Sequence, residues 1–260
     1  MTAYLGDENS YSHAAATLLV NGGLKGYGTM TEVLAAANEC ENAVLPLENN
    51  VEGVVNEVYD ALFDSGLYIS RQLILPVRHS LIAKSGATIG GIEKIMSHPQ
   101  AIAQCRRFIS EIGVPVIAVS STSAALGQAT DKVAAIAFKP KAGQVALAEG
   151  IQDSLLNATR FALLSKRESA EGRTVSIVFD LKDGPGALLK VLSVFYEHGI
   201  NLTRILSRPH RSGNGEYRFF ADFDFALSND ELNKLLRLVA GHCTAFRCLG
   251  RYDCDRAQIQ

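Results

Sequence analysis

Side chains able to do chemistry occur here in short polar runs. They are Ser10 and Ser12-His13, Glu48-Asn49-Asn50, Ser97-His98-Pro99-Gln100 with Gln104-Cys105, Ser121-Thr122-Ser123, and Thr159-Arg160-Phe161. Hydroxyls and amides of this kind orient polar substrates and donate hydrogen bonds to them. Metal chemistry is not expected: His242, Cys243, Cys248 and Cys254 lie near one another but lack the closely paired spacing of zinc ligands. No G-x-G-x-x-G or Walker run is present, so the sequence carries no nucleotide-binding signature of that kind.

Each run also has a plain structural reading. Thr159-Arg160-Phe161 at a strand start is ordinary when taken alone. His98 before Pro99 reads as a cap that sets a helix start. Cys105 falls on a helix with an apolar face, where packing is the expected role. Glu48-Asn49 fits a solvated turn. Arg204, Arg208, His210 and Arg211 form a basic cluster that suits an anion site or the protection of an edge strand.

The elements that must position these runs alternate almost to residue 165. Ala3–Leu5, Ala43–Leu45 (ended by Pro46), Leu67–Ala83, Ile92–Met96, Val114–Val119 and Val133–Phe138 read as strands. Ser12–Val20, Thr31–Cys40, Val55–Phe63, Pro99–Ile109 and Thr122–Gln128 read as helices. This alternation implies an α/β region with a largely parallel sheet covered by helices on both faces. The polar runs lie at or beside strand-to-helix junctions, where such folds bind ligands and free amides meet anions.

Residues 167–173 are polar, without an apolar face, and read as a linker between a region over 1–166 and another over 174–255. The second region has a different rhythm. Val175–Leu181 is a strand, Asp183-Gly184-Pro185-Gly186 a turn, and Ala187–His198 a helix stopped by Gly199. Ile200–Ser207 is a strand, Ser212-Gly213-Asn214-Gly215 a hairpin turn, and Tyr217–Phe225 a strand. Ser228–Val239 is a helix with a capping box from Ser228 and Glu231, and Ala245–Leu249 is a last strand. The order is βαββαβ, which is ferredoxin-like.

The bulk numbers agree with a folded two-part protein. The chain has 260 residues, 47% apolar and 20% charged. With a net charge of −2 and no long basic run, nucleic acid is not expected as a partner. No stretch approaches the ~20 apolar residues of a membrane span. Met1–Asp7 does not read as a leader, and five widely spaced cysteines suit a reducing compartment, so a cytoplasmic location is expected.

Taken in order, five segments resemble the prephenate dehydratase catalytic domain. They are Tyr4-Leu5-Gly6 with Ser12-His13; Pro46-Leu47-Glu48-Asn49 with Gly53; Ser97-His98-Pro99-Gln100-Ala101 with Gln104-Cys105; Ser121–Ala125 with Ala134-Ala135-Ile136; and Thr159-Arg160-Phe161. The second region resembles an ACT domain, through Gly186-Ala187-Leu188-Leu189 and Ser207-Arg208-Pro209. Departures are Asp7, Asn9 and Ser10 where the family has Pro, Gly and Thr, Asn50 where a Ser is usual, and Leu206 where a Glu is usual.

The resemblance implies two lobes like those of periplasmic binding proteins, with substrate in the cleft between them, followed by the ACT module. It implies that prephenate loses its ring hydroxyl and ring carboxylate to give phenylpyruvate in phenylalanine biosynthesis, without a cofactor. Arogenate is the close alternative substrate. Thr159 then assists departure of the hydroxyl, Phe161 packs beneath it, and Arg160 either orients the site or faces solvent. Ser10, Ser12, Glu48, Asn49, Asn50, Ser121, Thr122 and Ser123 are the implied substrate contacts. An amino-acid effector, L-phenylalanine first, is implied at Gly186, Ala187, Leu188, Leu189, Asn201, Leu206, Ser207, Arg208 and Pro209. ACT modules pair side by side, so a homodimer or homotetramer is expected. Two other classes compete. A non-catalytic sensor is favoured by Asn50 and Leu206 but has no need of Thr159-Arg160-Phe161, and a solute-binding protein would carry a leader.

Overall fold

A computed structural model describes residues 1–209 and 217–257. The expected turn at 212–215, with His210 and Arg211, lies outside the described residues. The first elements are β1 (Thr2–Leu5), α1 (Tyr11–Leu19), β2 (Leu24–Tyr27), α2 (Met30–Ala36), β3 (Asn42–Asn49), β4 (Gly53–Val54), α3 (Asn56–Asp64) and β5 (Tyr68–Pro76). There follow β6 (Ser80–Lys84), β7 (Lys94–Ser97), α4 (Pro99–Ala103), α5 (Arg106–Ile112), β8 (Val116–Ala118), α6 (Thr122–Gly127), β9 (Val133–Ala137) and β10 (Gln144–Glu149). The chain ends with β11 (Ala158–Ser165), β12 (Thr174–Leu181), α7 (Ala187–Glu197), β13 (Leu202–Pro209), β14 (Tyr217–Asp224), α8 (Asn229–Ala240), β15 (Ala245–Tyr252) and β16 (Cys254–Arg256).

These strands form three sheets. The first lobe has the order β16-β5-β11-β3-β1-β2, with β4 beside β3. The second lobe has the order β10-β6-β9-β7-β8. The chain crosses between lobes twice, through residues 77–79 and back through 150–157.

The expectation of a largely parallel sheet is corrected: both sheets are mixed. β1 runs parallel to β2 and β3, but the returning β11 inserts antiparallel between β3 and β5. A strand that re-enters a lobe beside the strand by which the chain left it runs the opposite way. Leu67–Ala83, read as one β-like stretch, is β5 and β6 in different sheets. Pro46 does not end its strand, because the ladder with β11 shifts register between Arg160 and Phe161, beside the proline's missing donor. The helix expected over Pro99–Ile109 breaks at Cys105, where Asp153 accepts from the Arg106 and Arg107 amides at 2.9 and 3.1 Å and starts α5.

The third sheet is antiparallel in the order β13-β14-β12-β15, the ferredoxin-like arrangement. One face is covered by α7 and α8, with Val175, Ile177, Phe179, Val191, Phe195 and Phe223 in the core between them. Ser228 and Glu231 form the expected capping box. The other face is not solvated. Val178, Phe220, Leu249, Tyr252 and Leu206 join the first-lobe core beside Tyr59 and Leu62. Arg247 reinforces this contact by donating to the Leu62 and Phe63 carbonyls at the end of α3 and to the Leu67 carbonyl just before β5. The chain then returns to the first lobe, where β16 pairs with β5.

Candidate active site

A cavity of about 330 Å³ opens between the two lobes. Tyr11, Asn49 and Thr159 face it from the first lobe; His98, Gln100, Ala101, Gln104, Ser120, Ser121 and Thr122 from the second; Val77 and His79 from a crossing segment. Among the described residues lining it there is no Lys, Arg, Asp or Glu. Any anion bound here is met by neutral donors.

Asn49 and Thr159 are directly opposed on β3 and β11. The Asn49 amide orientation follows from the backbone: its Oδ1 accepts from the Val51 and Glu52 amides at 2.9 and 3.0 Å. Its Nδ2 must therefore donate, to Thr159 Oγ1 and to Asn157 Oδ1, each at 2.9 Å. Asn157 Nδ2 then donates to Gln104 Oε1 at 3.0 Å. That oxygen also lies 2.8 Å from His79 Nε2, so Nε2 carries the hydrogen and Nδ1 is bare. Burial lowers the His79 pKa and keeps the ring neutral, outweighing the bond to Gln104. Tyr11 OH, 3.5 Å from His79 Nδ1, donates to the Arg78 carbonyl, and burial holds its pKa far above the ordinary phenol value.

One consequence reaches the cavity. Thr159 Oγ1 is an acceptor toward Asn49 and donates to no protein group among the described residues. Its own hydrogen is available to a molecule in the cleft. Phe161, 1% exposed, packs two residues along the same strand among Tyr4, Ala15 and Leu75 and keeps that side dry.

Several expected contacts do not reach the cavity. Arg160 and Glu48 alternate with Thr159 and Asn49, so they face the opposite side of the sheet. Asn50 also lies there, its Nδ2 donating to the Leu156 carbonyl at 3.0 Å, and these three line a separate cavity of about 430 Å³. Ser10 caps α1, accepting from the His13 amide; helical rotation then turns Tyr11 into the cleft and Ser12 into the interior. Ser121 caps α6 and lines the cavity with Thr122, while Ser123 is turned away. His98 is the expected cap, its Nδ1 accepting from the Gln100 amide at 3.3 Å, and it also lines the cavity. Cys105 is fully buried, and its thiol is pushed up to about 12, chiefly by burial.

The expected effector residues divide in the same way. Gly186, left-handed at φ 77°, begins α7, with Ala187 and Leu188 packed in the helix-side core and Leu189 exposed. Leu206 and Arg208 instead project from the opposite face of the sheet. Leu206 packs against the first-lobe core, and Arg208 forms a bidentate pair with Asp60 at 3.2 and 3.0 Å. Ser207 and Pro209 remain exposed on the edge strand, and Asn201 lines a small cavity with Gly199 and Leu227.

The family model described as prephenate dehydratase matches residues 2–169, and that of the ACT domain matches 175–237. The chain belongs to the prephenate dehydratase family. It is 37% identical to the prephenate dehydratase of Lactococcus lactis over 96% of both chains. A solved structure described as prephenate dehydratase in complex with L-Phe, from Arthrobacter aurescens, superposes with a TM-score of 0.86 at 29% identity, covering 97% of this chain and 89% of that one. Another, described as GqqA, a novel type of quorum quenching acylase, has a TM-score of 0.87 at 25% identity, covering 96% and 97%. The chain spans 57–63% of the length of plant relatives named as arogenate dehydratases or arogenate dehydratase/prephenate dehydratases.

Within this family frame, Tyr11, His79 and Asn157 are the cavity network's residues that the motif reading passed over. Tyr11 stands inside the Ser10–His13 run and Asn157 two residues before Thr159, but their own residue types carried no motif. They join the network through contacts between residues far apart in the chain, 25 positions for His79–Gln104, 68 for Tyr11–His79, 53 for Asn157–Gln104 and 108 for Asn49–Asn157.

Proposed function

We propose that this protein converts prephenate to phenylpyruvate, carbon dioxide and water, and that an amino acid, L-phenylalanine first, regulates it through the ACT domain. The observation that carries the reading is the Thr159 hydroxyl, held as an acceptor by Asn49 with its hydrogen left for the cleft. The reaction needs a donor for the departing ring hydroxyl, weak solvation of the departing ring carboxylate, and recognition of two anionic groups. Thr159 serves the first. Val77 and Ala101 supply apolar surface for the second. Ser120, Ser121, Thr122 and Gln100 supply neutral donors for the third.

The lining favours prephenate over arogenate. Arogenate carries an ammonium where prephenate carries a keto oxygen, and no carboxylate lines the described cavity to receive it. Acyl transfer is less well supported. It requires a nucleophile bonded to a base, whereas Ser121 accepts from the Ala124 amide and His79 is engaged by Gln104.

A second copy of the chain is proposed beside edge strand β13, where Ile205 is 46% exposed, with Leu189 at 65% and Tyr196 at 85% on α7. Such pairing would place another chain near the Gly186 loop. The test of the reading is phenylpyruvate release from prephenate by purified protein, with and without L-phenylalanine. Suppressible release supports both assignments, and no release from folded protein overturns the first.

A further inference from the structure

Behind Asn49 and Thr159, the same strands carry Glu48 and Arg160, also opposed in the ladder. Their side chains meet two residues of the C-terminal sheet, Arg204 on β13 and Asp222 on β14. Arg204 Nε lies 3.1 Å from Glu48 Oε2. Asp222 Oδ2 lies 3.8 Å from Arg160 Nη1 and 4.0 Å from Arg204 Nη1. Two guanidiniums and two carboxylic groups thus meet in a layer between the C-terminal sheet and the strands bearing the cavity residues, with Asp222 and Arg204 the more buried pair and Glu48 and Arg160 partly exposed.

The layer is anchored on every side. Asp222 Oδ1 accepts from Ser176 Oγ, which also contacts Tyr252 OH. Tyr252 OH accepts from Gln72 Nε2 at 2.7 Å, and Gln72 Oε1 accepts from Arg160 Nη1 at 3.2 Å. The Arg204 guanidinium lies 4.6 Å from the Tyr59 ring centre and donates to the Tyr59 hydroxyl. Within this framework two buried atoms have no hydrogen-bond partner among the described residues, Arg204 Nη2 and Asp222 Oδ2. A buried carboxylate oxygen held only by ion pairs of 3.8 and 4.0 Å, without a hydrogen bond, is expensive. A relative shift of about 1 Å would bring Asp222 Oδ2 within ordinary hydrogen-bond range of a guanidinium. A shorter contact than the one seen here is therefore within reach, and closing it would satisfy Asp222 Oδ2.

We infer that Asp222 and Arg204 are positioning residues. Acting through Arg160 and Glu48, they hold the β3–β11 pair that aligns Asn49 with Thr159, and closure of Asp222 onto the guanidiniums couples the C-terminal domain to turnover. The kinetic part of this inference rests on the proposed function; the structural coupling does not. Where such coupling acts on binding it is reciprocal between the two domains, whereas its effect on kcat need not be.

The test is Asp222→Asn in the full chain, with Glu48→Gln as a second variant that breaks the layer from the other side. Both are read by steady-state kinetics on prephenate and by amide exchange followed on peptides. For Asp222→Asn, kcat is expected to fall about tenfold or more with KM within about twofold, because small misplacements of reacting groups act on the chemical step. Exchange should quicken over 42–52 and 157–165 while 80–97 in the second lobe stays as in the wild type, and Glu48→Gln should shift both readouts in the same direction. Wild-type kinetics with wild-type exchange would overturn the inference, as would exchange quickened equally in both lobes, the mark of general destabilisation. If the wild type itself does not turn over prephenate, the proposed function fails, and the exchange pattern alone decides the coupling.

Discussion

Asn49 Nδ2 lies 2.9 Å from Thr159 Oγ1 across the β3–β11 ladder, and this bond determines which way the threonine hydroxyl points. Thr159→Ala removes the donor without opening the core, since Thr159 is only half-buried. Its turnover is expected to fall at least about a hundredfold, the scale of losing one positioned donor, with a near-native melting temperature. Asn49→Ala should also lower turnover, and should cost stability besides, because the Val51 and Glu52 amides lose their acceptor. Kinetics beside calorimetry on both variants checks this.

His79 gives a pH dependence of stability. Burial holds its folded pKa below the ordinary histidine value of about 6.5. Below that value the unfolded chain binds a proton that the folded chain resists, so stability rises with pH there. The His79 contribution is complete above about 6.5 and is lost as pH falls from there toward the folded pKa. His79→Gln removes this titration, so melting temperatures of wild type and variant should converge as the pH is lowered through that window. Parallel curves would contradict it.

The lobes and the ACT order were legible because they rest on local signals: the capping box at Ser228, the helix-stopping Gly199, and ordered polar runs at strand ends. Even Arg160's direction was available in principle, since alternation along a strand turns it away once Thr159 faces the cleft. What was not legible depends on distant partners. β16 is three polar-flanked residues that become a strand only beside β5. Tyr217–Asp224 alternates as a half-exposed strand would, yet Phe220 and Asp222 are buried because α3 and β3 cover the second face. Leu206 stands where an effector contact was expected, and a hydrophobic interface explains it better than a ligand does.

Gly250 tests that covered face. Its φ is 132°, and an added Cβ would lie 2.5 Å from the Ile69 carbonyl oxygen on β5. Gly250→Ala should destabilise the protein by about 2 kcal/mol or more through strain and collision, read as a lower denaturant midpoint. An unchanged midpoint would mean that the two sheets separate without consequence.

The proposed pairing through β13 predicts that Ile205→Lys weakens self-association. Ile205 is on an edge strand with its side chain exposed, so a charge there opposes strand-to-strand pairing while leaving the monomer's core untouched. Sedimentation of the wild type should give a dimer or tetramer, and of the variant a smaller species at equal concentration. A wild-type monomer would contradict the proposal.

The most direct test compares prephenate and arogenate as substrates for the purified full chain, following phenylpyruvate and phenylalanine respectively. Release of phenylpyruvate, with kcat/KM for prephenate above that for arogenate, is the predicted result, since a keto oxygen suits the described lining and an ammonium does not. Folded protein that releases no phenylpyruvate, or that prefers arogenate, would contradict the account of the cavity.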